Sequence, residues 1–448
     1  MGGVSVTILL LDSGGSDHDI TGEAFSVSLT RGRTLESEVF NAGGGSVRVR
    51  NYEANFNPAF LVDTSALLLE SGDFILLENG DRLLLESGNG GAVGTYGDIE
   101  LGRVIIINDG STTVFTGHVE DFDYEYDPEG RSEAVLSVRD GLGSLGATSL
   151  REWTTTQQMT GARVSALLDR AEVAFPTGSS YRDIATGTQP LGEGIVSFGT
   201  NALQELQRIN RAENGRCFVS NIGKLTFQDR YGVFGVTPVA TFNGTVAYNP
   251  LTSSVFPISH IGVRFGTELL HFEVTVTRDG DLRVTVDEDG ETVNTVVPAD
   301  EQVSRNDALI AGYPTLGARN LTVGPLPYNS DDHGFGLAEF LRERYEAFAA
   351  QISEMTVPLG RLSTAHRATV CALDIGDVVE VIWQPYGTTG AVTQTVAIEG
   401  IQYEASASKG AGGKTADASM TFLLSNARDP GYFQVGTDAV GGLKLVAP

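Results

Sequence analysis

Apolar and polar residues change places at nearly every step in Phe25-Ser-Val-Ser-Leu-Thr and in Ser46-Val-Arg-Val-Arg-Asn, the period of a strand with one buried face. Arg103-Val-Ile-Ile-Ile-Asn is an apolar run ended by the turn Asn108-Asp-Gly-Ser, and Val114-Phe-Thr-Gly-His-Val-Glu returns as its hairpin partner. In Asp121-Phe-Asp-Tyr-Glu-Tyr-Asp the period of two puts Phe122, Tyr124 and Tyr126 on one face and the acids on the other. Asp127-Pro-Glu-Gly then turns the chain into Glu133-Ala-Val-Leu-Ser-Val-Arg. These runs predict a first, β-rich block over residues 1–147.

The period changes in residues 148–235, which read as α+β. The stretch from Thr160 to Ala171 is helical, with a stop near Pro176. A second helix carries Leu203, Leu206 and Ile209 at helical spacing, with Thr200 placed to cap its start and Asn214-Gly215 its end. The hairpin Cys217-Phe-Val-Ser, Asn221-Ile-Gly, Lys224-Leu-Thr-Phe-Gln-Asp follows. Strands return in residues 236–427, where His271-Phe-Glu-Val-Thr-Val-Thr and Asp281-Leu-Arg-Val-Thr-Val-Asp flank the turn Arg278-Asp-Gly as a hairpin. One helix is predicted at about 336–350. Further strands are predicted at Arg367-Ala-Thr-Val-Cys-Ala-Leu, Asp377-Val-Val-Glu-Val-Ile-Trp, Thr395-Val-Ala-Ile-Glu-Gly and Ala418-Ser-Met-Thr-Phe-Leu-Leu. The fold class is therefore mainly β, with an α+β block between two β-rich ones. At 448 residues the chain is too long for a single core.

Two segments stand outside this pattern. From Leu67 to Asn89 the sequence repeats: Glu70, Glu78 and Glu86 recur with a period of eight, as do Gly72, Gly80 and Gly88. Asn79-Gly80 is a type I′ hairpin signal, so a small β-meander is predicted as an insertion at about 62–94. Its leucines point to both faces and need cover on both sides. Either a neighbouring domain or subunit supplies it, or the meander packs on its own domain. The residues 428–448 form a glycine-rich extended tail whose spaced hydrophobes are too many for a solvated linker. It either clamps a neighbour, by lying along a surface or adding a strand to an edge, or frays. The candidate partner interface is Leu67, Leu69, Phe74, Leu76, Leu83 and Leu85 in the repeat with Tyr432, Phe433, Leu443 and Leu445 in the tail.

Composition narrows the chemistry. Hydrophobic residues make up 41% and charged residues 19%, the balance of a globular chain. Thirty basic residues against 57 acidic ones leave a net charge of −27. Duplex binding needs a basic footprint, so stable DNA binding is not expected, whereas an acidic surface suits a protein that lets DNA pass. Cys217 and Cys371 sit in apolar, strand-like runs and read as buried free thiols. The start has no basic stretch followed by an apolar one, and no apolar run is long enough to span a bilayer, so a soluble protein made in the host cytoplasm is expected.

Catalytic signatures are not met. Ser408-Lys-Gly-Ala-Gly-Gly-Lys-Thr mimics a phosphate-binding loop, but Ser408 stands where glycine is required and a strand follows instead of a helix. The acids from Asp121 to Glu129 alternate with aromatics, and Tyr126 occupies the position where a calcium loop needs glycine. The six histidines show no paired zinc spacing, and there is no Gly-x-Ser-x-Gly elbow. Paired carboxylates for glycoside hydrolysis stay open, since 57 acids always offer some pair in space. No catalytic residue, metal or cofactor is expected.

Four stretches together resemble the minor tail proteins, or baseplate hubs, of long-tailed bacteriophages. They are Val47-Arg-Val-Arg-Asn with Phe56-Asn-Pro58; Asp98-Ile-Glu-Leu-Gly-Arg-Val with Val114-Phe-Thr-Gly-His-Val-Glu-Asp; Ala202-Leu-Gln-Glu-Leu with Gly215-Arg-Cys-Phe-Val and Gly223-Lys-Leu-Thr-Phe-Gln-Asp-Arg; and Leu373-Asp-Ile-Gly-Asp-Val-Val-Glu-Val after Leu337-Ala-Glu-Phe-Leu-Arg-Glu-Arg-Tyr. They span about 45 to 425 in the family's order. The resemblance implies two tube-like antiparallel β-barrel domains with an α/β insertion. It implies a homotrimer that forms a pseudo-sixfold ring at the virion's tail tip and continues the tail tube. The partners implied are the distal tail protein, the tape measure protein and tail fibre or tip proteins, with DNA passing through unbound. Two other readings remain: a carbohydrate- or receptor-binding fibre module, which the aromatic strand at Phe122–Tyr126 would serve, and a cell-wall hydrolase.

Overall fold

The structure, a computed structural model, describes residues 6–11, 17–51, 55–56, 101–126, 132–286, 292–297, 299–347, 350–410, 413–427, 432–433 and 445–446. The alternating runs become strands because each has one apolar face to bury. Seven come from the first block: β1 (Val6–Leu11), β2 (Asp17–Asp19), β3 (Ala24–Gly32), β4 (Gly44–Arg50), β5 (Val104–Asp109), β6 (Thr112–Glu125) and β7 (Glu133–Arg139). Six come from the last: β8 (Ala240–Asn243), β9 (His260–Arg264), β10 (Gln351–Pro358), β11 (Val378–Trp383), β12 (Val392–Gly410) and β13 (Gly413–Asn426). All belong to one 13-stranded sheet, in the order β9-β10-β13-β12-β3-β4-β7-β6-β5-β1-β2, with β11 paired to β12 and β8 to β11. Among the described residues of this sheet, only the β8–β11 pair is parallel.

The protein is mainly β, as its periodicity predicts. The two separate barrels implied by the resemblance are not what the pairing gives: the described strands close no barrel. The cause is β12. At 19 residues it is long enough to serve both halves, pairing Val392–Ala397 with β11 and Gly400–Ser406 with β3. One ladder therefore runs through the whole molecule. One core follows it, with Leu10, Val27, Val47, Phe115 and Leu136 of the first half continuous with Phe242, Met355, Ile401 and Phe422 of the second. Each such side chain contributes about 1.5–3 kcal/mol on burial.

A second core lies beside the sheet. It is built from α1 (Gly141–Gly146), α2 (Thr160–Leu168), α3 (Ala202–Glu213) and the hairpin strands Arg216–Val219 and Leu225–Gln228. Residues from much later in the chain complete it: the strands Glu273–Arg278 and Asn320–Leu326, and α5 (Asp331–Tyr345) behind α4 (Asp307–Gly312). α3 stops where the sequence predicts, with Asn214 left-handed at φ 53° and ψ 35°. Its start is capped one residue later than expected, by Asn201, whose side chain accepts from the backbone of Leu203 and Gln204.

Three expectations are corrected. Arg367–Leu373 is not a strand: α6 (Thr364–Cys371) occupies most of it, capped by Ser363, and Arg367, Val370 and Cys371 form its buried face. A short apolar run does not distinguish strand from helix, and the cap decides. Glu273–Arg278 does not pair with Asp281–Val286. It pairs with Gln302–Arg305 and, in parallel, with Asn320–Leu326, while Asp281–Val286 pairs with Thr292–Val297. The helix expected at 336–350 begins at Asp331, because Gly334 and Gly336 are tolerated where Gly334 packs close to Val276 and Gln302.

Candidate functional site

The sheet has one apolar and one polar face, and the polar one crosses the seam between the halves. The register lines up residues across six strands: Ser419, Glu404, Ser28, Ser46, Ser137 and Asp121 stand directly opposite one another from β13 to β6. A neighbouring row runs Asp417, Ser406, Ser26, Arg48, Val135 and Asp123. On the other side, Thr356, Thr421, Gln402, Thr30, Gly44, Arg139 and His118 form a third. Val27, Leu29, Val47, Leu136, Tyr403 and Met420 alternate with these on the opposite, buried face. The polar surface is one of small hydroxyls with carboxylates between them. In these three rows the guanidiniums of Arg48 and Arg139 are outnumbered by Glu404, Asp417, Asp121 and Asp123, and Arg139 is paired with Glu120. Partial desolvation lowers the pKa of His118 below its ordinary value.

Buried ion pairs hold the seam. Glu399 of β12 accepts from Arg33 at 2.9 Å, from Ser425 at 2.7 Å and from Arg216 of the hairpin. Burial alone would raise its carboxyl, but the guanidiniums of Arg216 and Arg33 and the Ser425 hydroxyl hold it well below the usual carboxylate range. Arg31 donates to Asp374 at 2.8 Å and to the Val219 carbonyl at 3.0 Å, and Asp374 also accepts from the Asn221 backbone at 2.9 Å. Arg344 of α5 pairs with Glu36 and donates to the Asn426 carbonyl at 2.6 Å. The smaller lobe is thus fastened to the sheet by charge as well as by packing.

The aromatic strand is arranged as predicted, with Phe122–Tyr124 and Tyr124–Tyr126 stacked at 6.1 Å between ring centres. Phe122 and Tyr124 are half-buried against the core, and the acids face outward. Burial, with the charges of Tyr126 and Asp121, pushes the Tyr124 hydroxyl up to about 12. Only Tyr126 is left exposed for a sugar to stack on.

A cleft of about 770 Å³ lies between the segments around Glu193–Ser197 and Arg278–Gly280. Of the carboxylates that line it, Glu205 and Asp279 both accept from Arg208, and Glu193 is exposed. Cys217 and Cys371 are buried and unpaired, as expected, and burial pushes the Cys217 thiol up to about 12. Among the described residues no group of three His, Cys, Asp or Glu could hold a metal ion, and no helix is long and apolar enough to cross a membrane.

Of the residues singled out as a partner interface, Leu67, Leu69, Phe74, Leu76, Leu83, Leu85 and Leu443 lie outside the described residues. Tyr432–Phe433 and Leu445–Val446 form two short strands paired in parallel. The polar face is what sequence reasoning missed. Its signal was present in the serines and threonines alternating with apolar residues in β3 and in Ser419 and Thr421 of β13, but the register that aligns them is a long-range property.

No protein-family model and no curated protein matches the chain. Solved structures do. A tail protein from Neisseria meningitidis superposes with a TM-score of 0.55 at 14% identity, over 95% of this chain and 97% of that one. The 43 kDa tail protein of prophage MuSo2 from Shewanella oneidensis gives 0.52 at 13% identity, over 94% and 98%. The chain is structurally similar to phage tail proteins along nearly its whole length, and it has their fold.

Proposed function

We propose that this chain is a structural, non-enzymatic tail-tip protein of the hub type. Copies of it form a ring, most simply a trimer, that continues the tail tube with the polar face of the sheet turned to the lumen. The observation that carries this reading is the unbroken row from Ser419 to Asp121, which gives a single smooth wall across both halves of the subunit. Short hydroxyls and excess carboxylate offer DNA phosphates few cations to exchange for counterions, so DNA slides by without being held. The fold shared with tail proteins supports the same conclusion.

Two contacts support a tube-like curl in each half. Residues 20–23 join β2 directly to β3, and Ile20 donates to the Ile8 carbonyl at 3.0 Å. In the second half Phe256, just before β9, bridges Phe242 of β8. We assign the first curl to residues 1–147 and the second to the strands of 236–427 that join the large sheet, with 148–235 as the insertion between them, packed together with the strands Glu273–Arg278 and Asn320–Leu326 and with α5. The leucine repeat and the tail from 428 are the segments left to bind the distal tail, tape measure and tip or fibre proteins. Half-burial of Phe122 and Tyr124 argues against a sugar-binding fibre module, and the ion pairs of Glu205 and Asp279 with Arg208 argue against a hydrolase built on those two carboxylates.

Electron microscopy of phage tails carrying an epitope-tagged copy of this chain tests the reading. A tagged ring with an open axial channel at the tail tip is expected. A label along fibres, or particles lacking the chain, would overturn it.

A further inference from the structure

We infer that a charge-poor rim at one end of the sheet's second half is a contact between copies of this chain, an inference that rests on the ring reading. β8 and β11 run parallel with Asn243 beside Ile382, so the segments leaving them emerge at the same end, where the Gly244 backbone donates to the Ile382 carbonyl at 2.9 Å. β9 ends and β10 begins there too. Arg264 pairs with Gln351, and Gln394, opposite Val381, donates to the Ala350 carbonyl at 3.0 Å. Four large apolar side chains stand in solvent at this end: Leu251 is 90% exposed, Tyr386 106%, Phe265 71% and Val246 58%.

Scattered surface hydrophobes need no explanation, but these four lie on segments that leave the same end of the sheet, and those segments are unusual. Residues 243–259 and 381–398, which carry Val246, Leu251 and Tyr386, contain no Asp, Glu, Lys or Arg in a chain where 19% of residues are charged, and beside Phe265 the charges of Arg264 and Glu268 are paired with each other. The net charge of −27 points to the occupant. Two copies repel over most of their surface, and carboxylates brought together out of water are costly. Copies of this chain can close on one another most readily where charge is missing and apolar side chains are available. A nucleic acid gains little from a surface whose Arg264 is already paired with Glu268. A neutral lipid surface is the competing fit.

The test is sedimentation equilibrium of the full chain at low and high salt, with Leu251→Glu, Tyr386→Glu and, as a control away from the rim, Ile222→Glu. The wild type should self-associate, more strongly at high salt as repulsion is screened. Both rim variants should weaken association at least about tenfold, since each buries an unpaired charge, and the control should not. These side chains are solvent-exposed, so unchanged thermal unfolding should confirm that the variants fold. A wild-type oligomer untouched by either rim variant would overturn the interface and leave the ring standing. A wild type monomeric at every concentration and salt would overturn both. Flotation of the wild type, but not of Leu251→Glu, with phosphatidylcholine vesicles would give the rim to lipid instead.

Discussion

Arg33 and Glu399 meet where the two halves of the sheet join, Arg33 Nη2 lying 2.8 Å from Glu399 Oε2 with both side chains buried. The same carboxylate holds Arg216 from the smaller lobe and Ser425 from β13. One acidic residue thus ties the segment just after β3, β12, β13 and the lobe's hairpin together, and its removal leaves two guanidiniums buried without a counter-charge. Glu399→Ala should lower unfolding stability by about 3–5 kcal/mol, measured by urea denaturation. A loss below about 1 kcal/mol, the level of an exposed pair, would show that the seam does not depend on it.

The pair also sets an acid sensitivity. Because the folded carboxyl lies below its ordinary value, Glu399 contributes stability that is fully present above pH 4.5 and is lost as pH falls from there toward about 2. The stability difference between wild type and Glu399→Gln should be constant above that window and shrink within it. A difference that grows on acidification would contradict the assignment.

Gly161 opens α2 against the turn at Ala185 and Thr186. A Cβ at this position would lie 1.8 Å from the Ala185 carbonyl oxygen, and backbone cannot yield as a side-chain tip can. Gly161→Ala should therefore cost roughly 1–3 kcal/mol despite alanine's better helix propensity. A thermal shift upward would mean that the helix start is looser than this packing.

The polar face can be made adhesive without touching the core. Ser28→Arg, Ser137→Arg and Ser406→Arg together should leave folding nearly unchanged, each within about 0.5 kcal/mol if independent, because none of the serines belongs to the buried face. The triple variant should gain salt-sensitive DNA binding that the wild type lacks, and phage carrying it should eject DNA more slowly. Normal ejection with the triple variant built into the tail would argue that this face does not meet DNA.

Local features were legible in the sequence to the extent that chemistry within a few residues decides them. The Asn108–Ser111 turn closes the β5–β6 hairpin, and Asn214 ends α3, because turn and cap residues act locally. The Lys409–Lys414 pairing is a hairpin, not a phosphate loop, for the same reason. α6 was misread because Thr364–Cys371 is too short for its period to show, and the partners of Glu273–Arg278 because a strong local turn signal was outweighed by pairings with strands further along the chain. The continuous sheet was hidden most deeply. It depends on Glu404 meeting Ser28 across more than 300 residues of sequence, and no local pattern records which strand a 19-residue β12 will share.

The central claim, that the polar face lines a narrow tube, is tested most directly by thiol labelling of assembled tails. Cys217 and Cys371 are buried and should stay silent, so Ser28→Cys on the face and Asp183→Cys on the smaller lobe each report one site. In isolated protein both should react with a small maleimide and with a bulky polymer-linked one. In assembled tails Ser28→Cys should keep its reaction with the small reagent and lose that with the bulky one, while Asp183→Cys reacts with both. Equal labelling of Ser28→Cys by the bulky reagent before and after assembly would place this face on the outside and contradict the account.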